Sequence, residues 1–308
     1  MTDNLHGFLV VQHGRTLIER YGAGPDFAWD RPLGHVAFDA GTLHDVRSVT
    51  KSVVALLYGI ALADGRVPPP HAPLLASFPE YPDLAADPAR ARLTVAHALT
   101  MSLGLEWREE IPYSGPANGE IAMDLAPDRN RYVLERPVIS PPGLRWVYSG
   151  GASALLGHLI TAGTGRSLRD YAAERLFGPL GIDAFEWMAA EDGVFSAASG
   201  LRLTPRGLAR IGELVLTGGG DVVPAAWVTE MLTPWLTVDW GDGYGYQWYL
   251  GTAGGHPAPS AIGNGGQRLI VLPSLAAVVV ITAGDYDDPE QWRLPAHLLD
   301  DVALPTLS

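Results

Sequence analysis

Ser48-Val49-Thr50-Lys51-Ser52-Val53-Val54-Ala55-Leu56-Leu57-Tyr58-Gly59-Ile60-Ala61-Leu62 is the most regular helical stretch of the chain. Val49, Val53, Leu56, Leu57 and Ile60 recur at helical spacing and predict an apolar face. Asp45 is the expected N-cap, Gly65 punctuates the end, and Pro68-Pro69-Pro70 forces an extended break. Ser48 and Lys51 stand three residues apart in the first turn, so the amine lies in reach of the hydroxyl. A serine is a weak nucleophile until a base takes its proton, and a neutral amine at hydrogen-bond distance can do that. The helix N-terminus adds N–H groups able to stabilise an oxyanion. Lys51 is also the single lysine of a chain with 21 basic residues; arginine, which supplies the rest, cannot give up its proton. The bland alternative is an amphipathic helix with a Ser and a Lys near its start.

Working toward the N-terminus, residues 7–12 read as a buried strand and 15–21 as its hairpin partner. Residues 22–44 are rich in Gly, Pro and Asp and read as loop. Toward the C-terminus, helices are predicted at 94–101, 151–162, 167–176 and 204–216. Strands are predicted at 244–250, 267–272 and 277–282, with Pro273 to Ala276 as the turn between the last two. Residues 288–301 close as a helix. The segments 104–143 and 237–260 read as loops that shape a cleft. Strands at both ends and helices between them predict an α+β fold. Its antiparallel sheet is built by the N- and C-terminal segments (1–62 and 196–308), a mostly helical subdomain (63–195) is inserted, and the cleft lies between them.

Composition bounds the rest. A chain of 308 residues and 32.9 kDa buries roughly three quarters of its unfolded surface. Hydrophobic content of 47% with 18% charged residues excludes a disordered or fibrous chain. The absence of cysteine excludes a disulfide scaffold, a Cys nucleophile and thiolate metal sites. A net charge of −13 argues against nucleic acid and anionic membranes as partners. The apolar run 276–283 is too short to span a bilayer, and the Met1-Thr2-Asp3-Asn4-Leu5-His6 start lacks a leader pattern, so a cytoplasmic location is expected. Nucleotide-loop, G-x-S-x-G and H-E-x-x-H motifs are missing, and the nine histidines lack metal-ligand spacing, so neither a metal nor a cofactor is expected.

Two further segments fit acyl chemistry. Arg145-Trp146-Val147-Tyr148-Ser149-Gly150 opens the helix predicted from 151, where Tyr148 could share proton transfer with Lys51. A second Tyr-Ser-Gly at 113–115 runs into Pro116 instead of a helix, which favours Tyr148. Gly263-Asn264-Gly265-Gly266-Gln267 precedes a strand; its glycines admit a substrate close to the backbone, and one N–H could be a second oxyanion donor. The alternatives are a packing tyrosine and an ordinary hairpin turn.

In this order, the three segments resemble the serine β-lactamase and penicillin-recognising hydrolase superfamily over almost the whole chain. Ser48-x-x-Lys51 matches its first motif, Tyr148-Ser149-x its second and the Gly-rich strand edge its third. The 100-residue interval from Ser48 to Tyr148 resembles the class C-like branch of esterases and 6-aminohexanoate-dimer hydrolase-like amidases. The resemblance implies an acyl-enzyme on Ser48, Lys51 and Tyr148 as the base pair with Lys51 the general base, and oxyanion donors from the N–H of Ser48 and of the residue after the third motif. With that motif registered as Ala261-Ile262-Gly263, the second donor is Asn264, and Gly263, Gly265 and Ala261 line the substrate. Two positions depart from the pattern: the second motif usually ends in Asn and here ends in Gly150, and the third usually begins with a cation and here begins with Ala261. The expected activity is hydrolysis of a small ester or amide. A β-lactamase or DD-peptidase is the alternative among enzymes, and a degenerate small-molecule-binding protein the alternative of another class.

Overall fold

The computed structural model describes residues 4–307; Met1 to Asp3, part of the segment read for a leader, lie outside the described residues. Leu5–Gln12 (β1) pairs antiparallel with Arg15–Tyr21 (β2) on one side and with Ala277–Ala283 (β13) on the other. The two ends of the chain therefore share one sheet. Gln267–Leu272 (β12), His256–Gly263 (β11), Tyr249–Ala253 (β10), Gly243–Tyr244 (β9) and Leu236–Thr237 (β8) extend it to eight strands in the order β2-β1-β13-β12-β11-β10-β9-β8. Unbroken apolar runs in β1, β12 and β13 follow from burial of both sheet faces. Leu9, Val11, Leu269, Val271, Val278 and Val280 join the large core under helices Val49–Ala63 and Pro205–Leu216. The alternate residues Phe8, Val10, Ile270, Leu272, Val279 and Ile281 face a smaller core closed by Leu298, Ala303 and Leu307.

Several expectations change here. Residues 22–44 are not loop throughout: Ala23–Ala28 (β3) and Arg31–Ala37 (β4) form a separate two-stranded sheet. Pro25 and Pro32 are tolerated because each strand has one unpaired side. His44–Asp45 (β5) then pairs with Leu201–Leu203 (β7), which also pairs with Phe185–Trp187 (β6). Asp45 does not cap the long helix. Its carboxylate accepts the N–H groups of Trp29 and Arg47, and Ser48 occupies the cap. Segment 104–143 contains helices Gly119–Asp124 and Arg129–Leu134, capped by Asn118 and Asp128. Most of 237–260 belongs to the sheet, and the strand expected at 244–250 is interrupted around Gln247. That side chain is buried and bonds Ala98 O, Leu99 O and Ser153. The closing helix starts only at Arg293, with Pro295 in its first turn. Among the described residues no helix is long and apolar enough to cross a membrane.

Candidate active site

Ser48 is the N-cap of helix Val49–Ala63, and Lys51 lies one turn in, buried among the apolar side chains of that helix. Lys51 Nζ donates to Ser48 Oγ at 3.1 Å and to the Ala198 carbonyl at 2.8 Å. Tyr148 arrives from the segment before helix Gly150–Thr164, whose cap Ser149 accepts the Ala152 N–H. The ammonium stands 4.9 Å from the Tyr148 ring centre. Two helix starts thus bring together three residues that span 100 positions of sequence. Tyr113 stands at the edge of this group, turned away from Ser48: its phenol donates to Glu109 Oε1 at 2.9 Å.

Two carboxyl groups complete the site, and the sequence reading missed both. Glu120 Oε2 lies 3.5 Å from Lys51 Nζ, and both side chains are buried. Glu109 Oε2 accepts the Trp107 indole N–H and the Gly150 N–H, each at 2.6 Å. Burial opposes a charge on Lys51, but Glu120, with Tyr148 and Glu109, outweighs it and raises the amine above its ordinary value. Two neutral acceptors, Ser48 Oγ and the Ala198 carbonyl, and the Glu120 carboxylate 3.5 Å away favour the ammonium form of Lys51. Burial also lifts the Tyr148 phenol; the Lys51 charge pulls it back and the two glutamates push it up, leaving it raised. Burial, reinforced by Glu120, drives Glu109 up to about 8.

The third segment approaches from the sheet. A Cβ on Gly263 would fall 2.4 Å from the Val46 carbonyl and 3.2 Å from Arg47 Cβ, so the end of β11 lies directly against the turn that leads to Ser48. The Asn264 side chain is turned to Asp287, donating to its carboxylate and accepting its N–H. Gly265 is not open to a substrate as expected. Its N–H donates to Gln291 Oε1 at 2.6 Å, and a Cβ there would strike the Tyr286 ring. Ala261 is fully buried in the core, so its side chain does not line the cleft either. Trp146, Tyr244, Tyr249 and the exposed Trp240 stack edge-on and face-on beside Tyr148.

One buried group behind this segment could hold a metal ion: His6, Asp26 and His44, drawn from β1, β3 and β5. Burial lowers both imidazoles, His44 to about 3 and His6 to about 4, so they are neutral. His44 Nδ1 must donate to the Asp45 carbonyl, so its Nε2 accepts from His6 Nδ1 at 2.8 Å. Asp26 accepts the Tyr286 phenol at 2.8 Å and lies 3.6 Å from the Arg202 guanidinium. Among the described residues His6 Nε2 and Asp26 Oδ2 are buried without a hydrogen-bond partner, while the remaining contacts make the cluster a brace. It anchors Tyr286, whose ring supports Gly265 and carries the Arg47 guanidinium 4.6 Å from its centre.

A sheet joining both chain ends, a helix that begins Ser-x-x-Lys and a tyrosine at a second helix start define the penicillin-recognising class of folds. The chain belongs to that class through the Beta-lactamase family, whose profile matches residues 7–303. Esterase EstB of Burkholderia gladioli is 30% identical over 190 residues, which is 59% of this chain and 47% of that protein, under half its length. The 6-aminohexanoate-dimer hydrolase of Paenarthrobacter ureafaciens is 25% identical over 96% of this chain and 77% of its own. In fold, the chain superimposes on EstCE1, described as a hydrolase with promiscuous acyltransferase activity. The TM-score is 0.75 at 16% identity, covering 95% of this chain and 94% of that one.

Proposed function

We propose that the protein is a serine hydrolase that cleaves small esters or amides through an acyl-enzyme on Ser48. The observation that carries this reading is the Ser48 hydroxyl at a helix start, hydrogen-bonded to the only lysine, with the Tyr148 ring set against that amine. Ser48 Oγ attacks the acyl carbon while its proton passes to the Lys51–Tyr148 pair. The carbonyl oxygen becomes an oxyanion facing the N–H groups of Ser48 and Asn264. Collapse breaks the bond to the alcohol or amine, which leaves with the proton the pair returns. Water then attacks the acyl carbon by the same route, releasing the acid and restoring Ser48. The reactive form is the one in which the pair has lost one proton. The aromatic wall of Trp146, Trp240 and Tyr249 suits an apolar acyl or alcohol group. In this proposal the cleft lies between the sheet portion (1–62 and 196–308) and the inserted helical portion (63–195).

The test is intact mass after incubation with a p-nitrophenyl ester or an organophosphonate. An adduct on wild type that is lost in Ser48→Ala is the expected result. No adduct from any of several probes would favour a binding protein.

A further inference from the structure

The second motif ends in glycine where a side chain is usual, and the space is not vacant. A Cβ at Gly150 would lie 2.2 Å from Glu120 Oε2 and 2.8 Å from its Cδ. We propose that Glu120, seated in the room Gly150 leaves, is the positioning residue that sets the charge of Lys51; this rests on the Ser48 reading above. Asn118 caps the Glu120 helix and accepts the Glu120 N–H at 2.9 Å, which fixes the backbone. Ser199 donates to the other carboxyl oxygen at 3.4 Å. Oε2 itself takes no hydrogen bond among the described residues and points at Lys51. The two bonded partners of Lys51, a hydroxyl and a carbonyl, are neutral, so Glu120 is the acid paired with it. Around this pair stand Glu109, Tyr113 and Tyr148, with Asp124 on the Glu120 helix, itself paired with Arg129 at 3.6 Å. A side-chain amide at position 150 could orient Lys51 but would add no charge. A carboxylate orients it and holds its proton, so Gly150 marks an exchange of partner and not a lost one.

The single lysine makes the test direct. Protein grown with 15Nζ-lysine gives one side-chain amine resonance, that of Lys51. In Glu120→Gln its titration midpoint should fall by about 1 to 3 units, the range for losing an opposite charge at this distance. The acid limb of kcat/KM should move down in pH with it, and Glu120→Asp should move neither by as much. A Glu120→Gln titration that overlays wild type would overturn the assignment. The space-sharing half is tested separately. Gly150→Asn should lose at least about tenfold in kcat/KM, and Gly150→Asn with Glu120→Gly should recover most of it, since contacting sites couple. A double variant no better than the single one would overturn it. Absence of Ser48-dependent hydrolysis in a wild type that titrates as described removes the proposed function and keeps the Glu120 assignment. Hydrolysis with unmoved titration in Glu120→Gln does the reverse.

Discussion

At the scale of the residue, the protonation of three side chains decides what the site can do. Lys51 and Tyr148 both sit above their ordinary values, so the form lacking one proton is a minority at pH 7. Activity in kcat/KM should therefore climb as pH rises above neutrality, about tenfold per unit until the pair titrates. A profile falling over that range would exclude the pair as base. Lys51→Arg should be nearly as damaging as Lys51→Ala, because an arginine keeps the charge but cannot yield a proton. Tyr148→Phe should cost about 10²-fold or more. Tyr113→Phe should cost far less, since that phenol bonds Glu109 and not Ser48; equal losses would reassign the tyrosine. Glu109 gives a stability signature. Its folded-state value is raised from 4.5 to about 8, so its contribution is full below the unfolded value and is lost as pH rises through the folded one. Wild-type Tm should decline over this window, and Glu109→Gln, measured alongside, should flatten the decline.

At the scale of the element, the end of β11 lies against the turn before Ser48, which in the proposed mechanism would set the oxyanion geometry. Gly263→Ala would place a methyl 2.4 Å from the Val46 carbonyl. The strand must then move off the turn, costing about 1–3 kcal/mol of stability as overpacking does, with a larger proportional loss in kcat than in KM. Thermal unfolding and steady-state kinetics on one preparation check both, and an unchanged kcat would place the second oxyanion donor elsewhere. The sequence reveals such elements unevenly. Helix Val49–Ala63 is legible because its apolar residues recur over four turns, and β1, β12 and β13 because they are continuous apolar runs. Strand β11 is hidden by Pro257 and Pro259, which the sheet accepts because only Ser260 to Gly263 pair with β12. The β3–β4 hairpin is hidden likewise by Pro25 and Pro32. Ser48, Lys51 and Tyr148 announce themselves by local spacing and by their place at helix starts. Glu109 and Glu120 do not, because their role depends on a packing contact with Gly150 that no local pattern encodes. The one available signal was the missing side chain at position 150. The His6–Asp26–His44 cluster is invisible for the same reason, being assembled from three strands.

At the scale of the whole molecule, charge decides between neutral and anionic substrates. The chain carries −13, and in its site Glu120 already engages the sole lysine. A penicillin or cephalosporin brings a carboxylate that needs a cation of its own. The third motif supplies none, since Ala261 is buried in the core, and Arg268 on the next strand turns its Nη1 to the Gln267 and Gly263 carbonyls. A carboxylate without a charge-assisted partner forfeits about 1.5–3 kcal/mol, or roughly ten- to a hundredfold in kcat/KM. A neutral ester meets no such penalty, because it requires only Ser48, the Lys51–Tyr148 pair and the backbone donors. Short-chain p-nitrophenyl esters should accordingly be turned over far better than nitrocefin or ampicillin under one condition. Added salt should narrow the gap, because screening relieves the long-range repulsion felt by the anionic substrate and leaves the neutral one untouched. A kcat/KM ratio that favours the lactams would show that the fold offers their carboxylate a cation not among these residues, and would overturn the ester and amide assignment.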